Sequence, residues 1–332
     1  MSPDRLHIAV GVIFNKSRDK VLLSRRSDDV PQGGLWEFPG GKLLPGEGVE
    51  EALARELFEE LDLVIHHAQP LIVIDHDYPL QSVTLDVWTI DKWDGEVTGR
   101  EGQLIEWVSL EGLSERKFPG ANHSIISAIK LPPLYLITPN LTEHGDGFLD
   151  TAKTCLEAGA KLIQLRSLYP DRYYFRKLAG ELVELCNRFH CRLIINSTPD
   201  EMLRLGAHGV HLSSKHLLQQ ERRPLAKEYW VAASCHDELE LEHACRIGVD
   251  FAVLSPVSRT NSHPGKEPMG WDRFEEMACA ATIPVYALGG MQPTDIEVAR
   301  GRGGQGVAMI SGIWEAPDPG AAIRMCMAAA NV

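Results

Sequence analysis

Between Glu37 and Leu63 the chain reads EFPGGKLLPGEGVEEALARELFEELDL, and the spacing of its glutamates bears directly on chemistry. If residues 48–61 form a helix, at about 100° per residue, Glu56, Glu59 and Glu60 share an arc of about 100°. Glu56 and Glu60 are then i,i+4 neighbours, whose repulsion costs a helix roughly a few tenths of a kcal/mol. Ala54, Leu57, Phe58 and Leu61 occupy another arc and are expected to pack on a sheet. Two explanations compete. One is a solvated face, which is what most Glu-rich helices present. The other is a hard dication, which takes oxygen ligands and turns the repulsion into binding. The preceding loop favours the cation. Gly40-Gly41 lets the backbone come close to a ligand and leaves a carbonyl free to face a metal. Pro45-Gly46 turns the chain, and Arg55 stands i,i+4 to Glu59, where it is expected to hold that side chain.

Residues 1–130 carry the elements that must position this helix. HIAVGVIF, KVLLSRR, PLIVIDHDYP, SVTLDVWTID and IEWVSL read as strands. NHSIISAIKLPP reads as a closing helix stopped by Pro132-Pro133. That is an α+β pattern, and the domain boundary is placed at residues 130–133. Beyond it, short apolar strands alternate with helical segments: LYLIT, KLIQLR, RLIIN, GVHLS, WVAAS, FAVLS, PVYALGG and GVAMIS. Eight such units in residues 131–332 imply a closed parallel (β/α)8 TIM barrel, with a doubly wound open sheet as the alternative. The count of eight favours the barrel.

Charge and cysteine content narrow the function classes. The formal net charge is −13, and residues 1–130 hold 13 Lys and Arg against 22 Asp and Glu. Such a surface is unsuited to wrapping a nucleic-acid backbone, so no direct nucleic-acid partner is expected. It does not oppose a small anionic substrate that arrives with its own cations. No apolar run reaches the roughly 18 residues that span a bilayer, so no membrane partner is expected. The N-terminus shows no secretion-signal pattern. All seven cysteines lie beyond residue 150 without a C-x-x-C pair, which fits reduced thiols in a cytoplasmic protein.

The pattern G-x5-E-x7-R-E-hydrophobic-x-E-E, met by Gly41, Glu47, Arg55, Glu56, Leu57, Glu59 and Glu60, resembles the signature of the Nudix hydrolases. These cleave a nucleoside diphosphate linked to another group, using divalent metal. The resemblance implies Glu56, Glu59, Glu60 and Glu101 as catalytic and metal-binding residues, with the Gly40 carbonyl as a further ligand. The metal implied is Mg2+, with Mn2+ as the alternative. Where the family has glycine after this turn the chain has Asp62, which tolerates the left-handed conformation and is expected to alter only the helix exit. The flanks resemble the MutT-type subgroup, which hydrolyses 8-oxo-dGTP to the monophosphate and pyrophosphate. On that resemblance Arg26 contacts the nucleotide, Phe38 lies against the base and Asn122 reads the purine. Gln81 replaces a family arginine on the loop before SVTL.

Residues 134–314 resemble the thiamine phosphate synthase/TenI barrels, through QLR at Gln164–Arg166, IIN ending at Asn196, GVHLS, SCHDELE, LSPVSRT and ALGG. The resemblance implies a ligand site formed by Gln164, Arg166, Asn196, His236, Gly290, Ile310 and Ser311, taking a phosphorylated thiazole or pyrimidine. Gly289-Gly290 and Ile310-Ser311-Gly312 form its phosphate cradle. The synthase's charged residues are replaced here by Leu168, Ser197 and His216, which argues against expulsion of pyrophosphate. His236 stands where the thiazole tautomerase branch has an acid/base histidine, a role suited to imidazole. The expectation is therefore a MutT-type pyrophosphohydrolase of residues 1–130 joined to a TenI-like barrel of residues 131–332. The alternatives are a thiamine-pathway enzyme and a regulator that senses a phosphorylated ligand through the barrel.

Overall fold

The computed structural model describes residues 5–30, 32–79, 81–140, 147–166, 172–260, 265 and 267–329. Leu168 lies outside them. The chain divides into two compact units, Met1–Lys130 and Leu131–Val332.

In the first unit, β1 (Leu6–Ile13) sends alternate side chains to opposite faces, as a pleated strand must. Ala9 and Ile13 face α1 (Val49–Leu61), packing with Leu53, Leu57 and Leu61. Val10 and Val12 face the other way, into a core closed by Ile125 of α2 (Asn122–Lys130). Gly11 makes the close helix approach possible: a Cβ there would lie 3.0 Å from Leu57 Cδ1. Pairing is parallel between β1 and β6 (Ser82–Asp94), and antiparallel from β1 to β4 (Gly40–Lys42) and from β6 to β5 (Val64–Asp77). That makes a mixed sheet of order β4-β1-β6-β5. A second, antiparallel sheet orders β3 (Trp36–Glu37), β2 (Lys20–Arg25) and β7 (Ile105–Ser109).

Three details differ from the sequence pattern. Strand β5 starts at Val64 rather than Pro70, because it is an edge strand whose pairing shifts between Ile65 and Ile72; edges with bulges tolerate proline. Strands β3 and β4 are too short to show a period. On α1 the buried face is Ala52, Leu53, Leu57 and Leu61, whereas Ala54 and Phe58 are exposed. Phe58 is covered instead by the Arg100 guanidinium, 5.2 Å from its ring centroid.

The second unit is a closed barrel of eight parallel strands: β8 (Leu134–Ile137), β9 (Leu162–Leu165), β10 (Arg192–Ile195), β11 (Gly209–Leu212), β12 (Trp230–Cys235), β13 (Phe251–Leu254), β14 (Val285–Leu288) and β15 (Gly306–Met309). Strand β15 pairs with β8, which rules out an open sheet. Tyr135, Ile137, Phe251, Val253 and Tyr286 fill the interior, while their sequence neighbours Leu134, Leu136, Ala252 and Leu254 pack outward. Among the described residues no helix is long and apolar enough to cross a membrane.

Candidate functional site

The acidic helix is held by one arginine. Arg55 forms a two-pronged pair with Glu47, at 2.8 and 2.9 Å, and donates to the Lys42 carbonyl at 3.0 Å. It also reaches Glu56 at 2.9 Å and Glu59 at 3.3 Å. The expected Arg55–Glu59 contact is present, but it is the weakest of these and the most exposed. Arg55 chiefly fixes the loop that precedes the helix. The planar guanidinium fork is suited to that task, and it holds the Glu47 carboxyl down at about 2.

Glu60 is in the opposite situation. Burial first, then the negative charges of Glu101, Glu56 and Glu37, raise its carboxyl to about 8, opposed by the backbone N–H of Gly40. Those four carboxylates share one electrostatic neighbourhood, although Glu101 comes from a distant loop. That loop is tied to the end of α1: Arg100 N–H and Gln103 Nε2 both donate to the Glu60 carbonyl, at 2.9 and 3.1 Å. Gly40 and Gly41 lie against the same cluster. A Cβ on Gly41 would sit 2.2 Å from the Glu56 carboxyl carbon, and Gly40 adopts φ +147, with its missing Cβ replaced in space by the Ala9 carbonyl. Among the described residues no three His, Cys, Asp or Glu side chains converge as a closed cation cage. Glu56 and Glu59 turn to Arg55, the nearest positive charge. A set of hard oxygen donors with more negative charge than the local cations balance fits a divalent cation.

Asp62 takes the left-handed conformation at the end of α1, φ 61 and ψ 32, and pairs with Arg100 at 2.6 Å. The exit is thus built by an acidic residue and an arginine that the sequence pattern did not connect to it.

A second group assembles around Glu37. Arg26 forms an ion pair with Glu37, a half-buried carboxyl that burial raises against the pull of Arg26. Phe38 is buried and stacks on Phe118, with ring centroids 6.0 Å apart. Asn122 is buried at the start of α2, one residue after Ala121, whose N–H donates to the Tyr78 hydroxyl at 3.4 Å. Tyr78 also feels the charges of Arg26 and Glu37, so Arg26, Glu37, Tyr78 and the Asn122 segment form one neighbourhood. Sequence reading missed Glu37 and Tyr78. For Glu37 a signal existed, since it immediately precedes Phe38 in the same motif. Gln81 closes the turn after Tyr78 by reciprocal backbone hydrogen bonds.

The barrel's candidate residues stand at the C-terminal ends of its strands. Arg166, Thr260, Gly289, Gly290, Ile310 and Ser311 line one concavity. Gly289 and Gly290 have φ +110 and +68, and a Cβ on Gly290 would meet the Arg259 carbonyl at 2.6 Å. Only glycine permits that turn. Gln164 is buried; its Nε2 donates to the Tyr135 hydroxyl at 3.0 Å, and its Oε1 accepts from Asn196 Nδ2 at 3.4 Å. Tyr135 in turn meets His211 Nδ1 at 3.2 Å, and His211 Nε2 meets Ser234 Oγ at 2.7 Å. Burial, then the charge of Arg166, lowers His211 to about 3, so the imidazole is neutral. The sequence pattern singled out Gln164 and Asn196 of this chain, but not Tyr135, His211 or Ser234. His236 lies just beyond β12 and bonds Glu240 through Nδ1 at 2.9 Å. Ser197 follows β10 and His216 lies in the short helix Ser214–Leu217, neither position supplying a carboxylate, and the buried His216 Nδ1 has no hydrogen-bond partner among the described residues.

Comparisons with known proteins agree with both halves. Residues 9–128 match the family model described as NUDIX domain, and residues 134–313 match the one described as Thiamine monophosphate synthase. An 8-oxo-dGTP diphosphatase from Escherichia coli K12 is 39% identical over 126 residues, spanning 38% of this chain and 97% of that protein. A putative thiamine-phosphate synthase from Aquifex aeolicus is 35% identical over 184 residues, 55% of this chain and 98% of that protein. A solved thiamine phosphate pyrophosphorylase from Pyrococcus furiosus has the same fold, with TM-score 0.51, 21% identity, and coverage of 64% of this chain and 97% of that one. The chain belongs to the thiamine monophosphate synthase family through residues 134–313, and its residues 9–128 are a Nudix domain fused ahead of that barrel.

Proposed function

We propose that the Nudix domain is a Mg2+-dependent pyrophosphohydrolase of nucleoside triphosphates, with 8-oxo-dGTP as its preferred substrate and 8-oxo-dGMP and pyrophosphate as products. The observation that carries this is the neighbourhood of Glu60: three further carboxylates, Glu101, Glu56 and Glu37, around a half-buried glutamate whose own carboxyl is raised to about 8. Glu56, Glu59, Glu60 and Glu101, with the Gly40 carbonyl, would hold the ion. Bound there, Mg2+ (or Mn2+) would neutralise phosphate charge and lower the pKa of the attacking water. The chain's own residues do the rest. Arg55 fixes the loop carrying Glu47 and so the approach of Gly40-Gly41 to the phosphates. Phe38 supplies an apolar wall for the base, and Arg26 a positive charge for the nucleotide. Asn122 offers one acceptor and two donors to a purine edge. In the reaction the water oxygen bonds to phosphorus, the bond to the bridging oxygen breaks, and pyrophosphate departs. Removal of 8-oxo-dGTP from the nucleotide pool would prevent its mispairing during replication.

Pyrophosphate release from 8-oxo-dGTP, dGTP, other nucleoside triphosphates and dinucleotides, with Mg2+ or Mn2+, tests the assignment. The highest kcat/KM belongs to 8-oxo-dGTP. Equal rates on dGTP, or preference for a dinucleotide, would overturn it.

For the barrel, we infer a site that holds a phosphorylated thiazole or pyrimidine and moves protons on it without making thiamine phosphate. Support comes from the glycine turn and Arg166 at the concavity, where backbone N–H groups suit phosphate. Ser197 and His216 bring no carboxylate for metal-assisted loss of pyrophosphate. His236, bonded to Glu240, is the proton carrier. Calorimetric titration of the full chain with thiazole phosphate should show binding, and thiamine phosphate formation from thiazole phosphate and pyrimidine diphosphate should be absent. Its appearance would refute the inference.

A further inference from the structure

The helix that follows β12 begins with a carboxylate that meets one imidazole, the backbone N–H of the same residue and a serine hydroxyl. Glu240 lies in the first turn of α7 (Glu238–Ile247), counting the helices of the second unit from α3 (Phe148–Glu157) through α4 (Arg172–Arg188), α5 (Pro199–Leu205) and α6 (Ser214–Leu217). Its Oε2 accepts the His236 backbone N–H at 2.8 Å and meets His236 Nδ1 at 2.9 Å. Its other oxygen accepts from Ser214 Oγ at the start of α6. The carboxylate therefore joins the loops after β11 and β12, with its side chain 13% exposed against 31% for His236.

Hydrogen-bond logic then fixes the ring. An ionised carboxylate only accepts, so the Nδ1 facing it must carry the proton. Burial alone would raise the Glu240 carboxyl, but the hydrogen bonds from Ser214 and His236 outweigh it and hold the group below the ordinary range. With Nδ1 protonated, Nε2 presents a lone pair, and no hydrogen bond engages it among the described residues. The backbone just before His236 adjoins the ligand concavity: Ser255, which lines it, donates its N–H to the Cys235 carbonyl at 3.2 Å.

We propose that Glu240 is a positioning residue that locks His236 in the Nδ1–H tautomer, so that Nε2 acts as the base toward a phosphorylated heterocycle bound in the barrel mouth. This rests on the proton-transfer reading of the barrel. In the step, Nε2 takes a proton from a ring carbon and the C–H electron pair stays in the heterocycle. The imidazolium, stabilised by Glu240, then returns the proton to another ring position, with no net change in charge or oxidation state. A histidine in the wrong tautomer presents N–H where the lone pair is needed, which is how loss of an orienting carboxylate disables a base.

The test uses the full-length protein with 15N-labelled histidine, and His236→Asn to assign the His236 signals. Long-range 15N–1H spectra should show Nδ1–H at His236 in the wild type and a shift towards Nε2–H in Glu240→Met, which keeps the volume and removes the acceptor. Asp237→Ala is the structural control. Asp237 Oδ1 caps the same helix through the Glu240 N–H at 2.9 Å, so loosening that cap without touching the ring should leave the tautomer alone. Isomerisation of a thiazole phosphate tautomer in D2O, followed by NMR, should fall in kcat by about 100-fold or more in Glu240→Met, with KM little changed. Nε2–H in the wild type, or an unchanged tautomer in Glu240→Met, overturns the proposal. If His236→Asn leaves isomerisation intact while the tautomer results stand, the chemistry proposed for the barrel fails and the positioning of His236 does not.

Discussion

The acidic cluster of the Nudix domain and the polar mouth of the barrel solve opposite problems. Around Glu60 the chain gathers the carboxylates of Glu101, Glu56 and Glu37, which together with burial raise the Glu60 carboxyl, while Arg55 is spent mainly on Glu47 and Arg26 on Glu37. In the barrel, Asn196, Gln164, Tyr135, His211 and Ser234 form a chain in which each polar group meets the next. A cluster of like charges becomes stable only when a cation arrives. A buried network with its partners inside the protein is stable beforehand, because each hydrogen bond removes the desolvation cost of two groups. One site is therefore expected to depend on metal, and the other to be organised for neutral recognition before any ligand binds.

The largest effect that would break this contrast lies at the cluster. Glu59→Gln and Glu60→Gln should each lower kcat on nucleoside triphosphates by about 100-fold or more, since an amide is a poor ligand for Mg2+. Without metal, Glu60→Gln should be as stable as the wild type or more so, because it replaces a carboxyl whose ionisation is opposed by burial and by Glu101, Glu56 and Glu37 with a neutral amide. Thermal unfolding in EDTA checks the second statement and steady-state kinetics the first. Near-wild-type turnover of both variants in saturating Mg2+ would mean that the cluster is a solvated face after all.

On the barrel side, pH reads whether the network is complete. Burial lowers His211 to about 3 in the folded chain, while an unfolded histidine titrates near about 6.5. Between those values the unfolded state binds the extra proton. Stability contributed by neutral His211 is thus fully present above about pH 6.5 and is lost as pH falls towards 3, at up to about 1.4 kcal/mol per pH unit. His211→Gln should flatten that slope in the barrel's urea transition between pH 7 and 5. Equal slopes in wild type and variant would mean that the imidazole takes up a proton without leaving its partners.

How far these features are legible in sequence depends on their range. The barrel strands carry local apolar runs of about the right length, and all eight can be read before any packing is known. The Glu56, Glu59 and Glu60 arc is legible because helical spacing is local. The face assigned to Phe58 is wrong for a non-local reason: Arg100, on a distant loop, covers a ring that periodicity places in the core. Tyr135 and His211 look like ordinary strand residues, and only barrel closure brings them together. Glu240 reads as a helix-surface glutamate until the fold sets it against His236 and Ser214.

Asn122 tests whether recognition in the Nudix domain is as specific as its charge is unspecific. Asn122→Ala should cost roughly 1–3 kcal/mol in kcat/KM for 8-oxo-dGTP and less for dGTP, through lost hydrogen bonds to the base edge. A matched loss for both nucleotides would show that the buried Asn122 supports the start of α2 without reading the oxidised base.

The smallest expected effect concerns the exit of the acidic helix, where the chain has Asp62 at φ 61. Glycine at that position would relieve the Cβ strain of the left-handed region, but it would lose the Arg100 pair and add freedom to the unfolded chain. The pair is about 40% exposed on both sides, 43% for Arg100 and 41% for Asp62, so screening leaves it worth little. Asp62→Gly should therefore change the thermal stability of the Nudix unit by no more than about 0.5 kcal/mol. Asp62→Ala keeps a Cβ, loses the pair, and should be about 1 kcal/mol less stable than Asp62→Gly. Turnover in saturating Mg2+ should follow the wild type in both, since the Glu101 loop is also tied to α1 by Gln103 at the Glu60 carbonyl. If alanine and glycine behaved alike, the left-handed exit would impose no constraint. The acidic residue would then owe its place to Arg100 alone, and the helix end would be shaped by charge like the rest of the cluster.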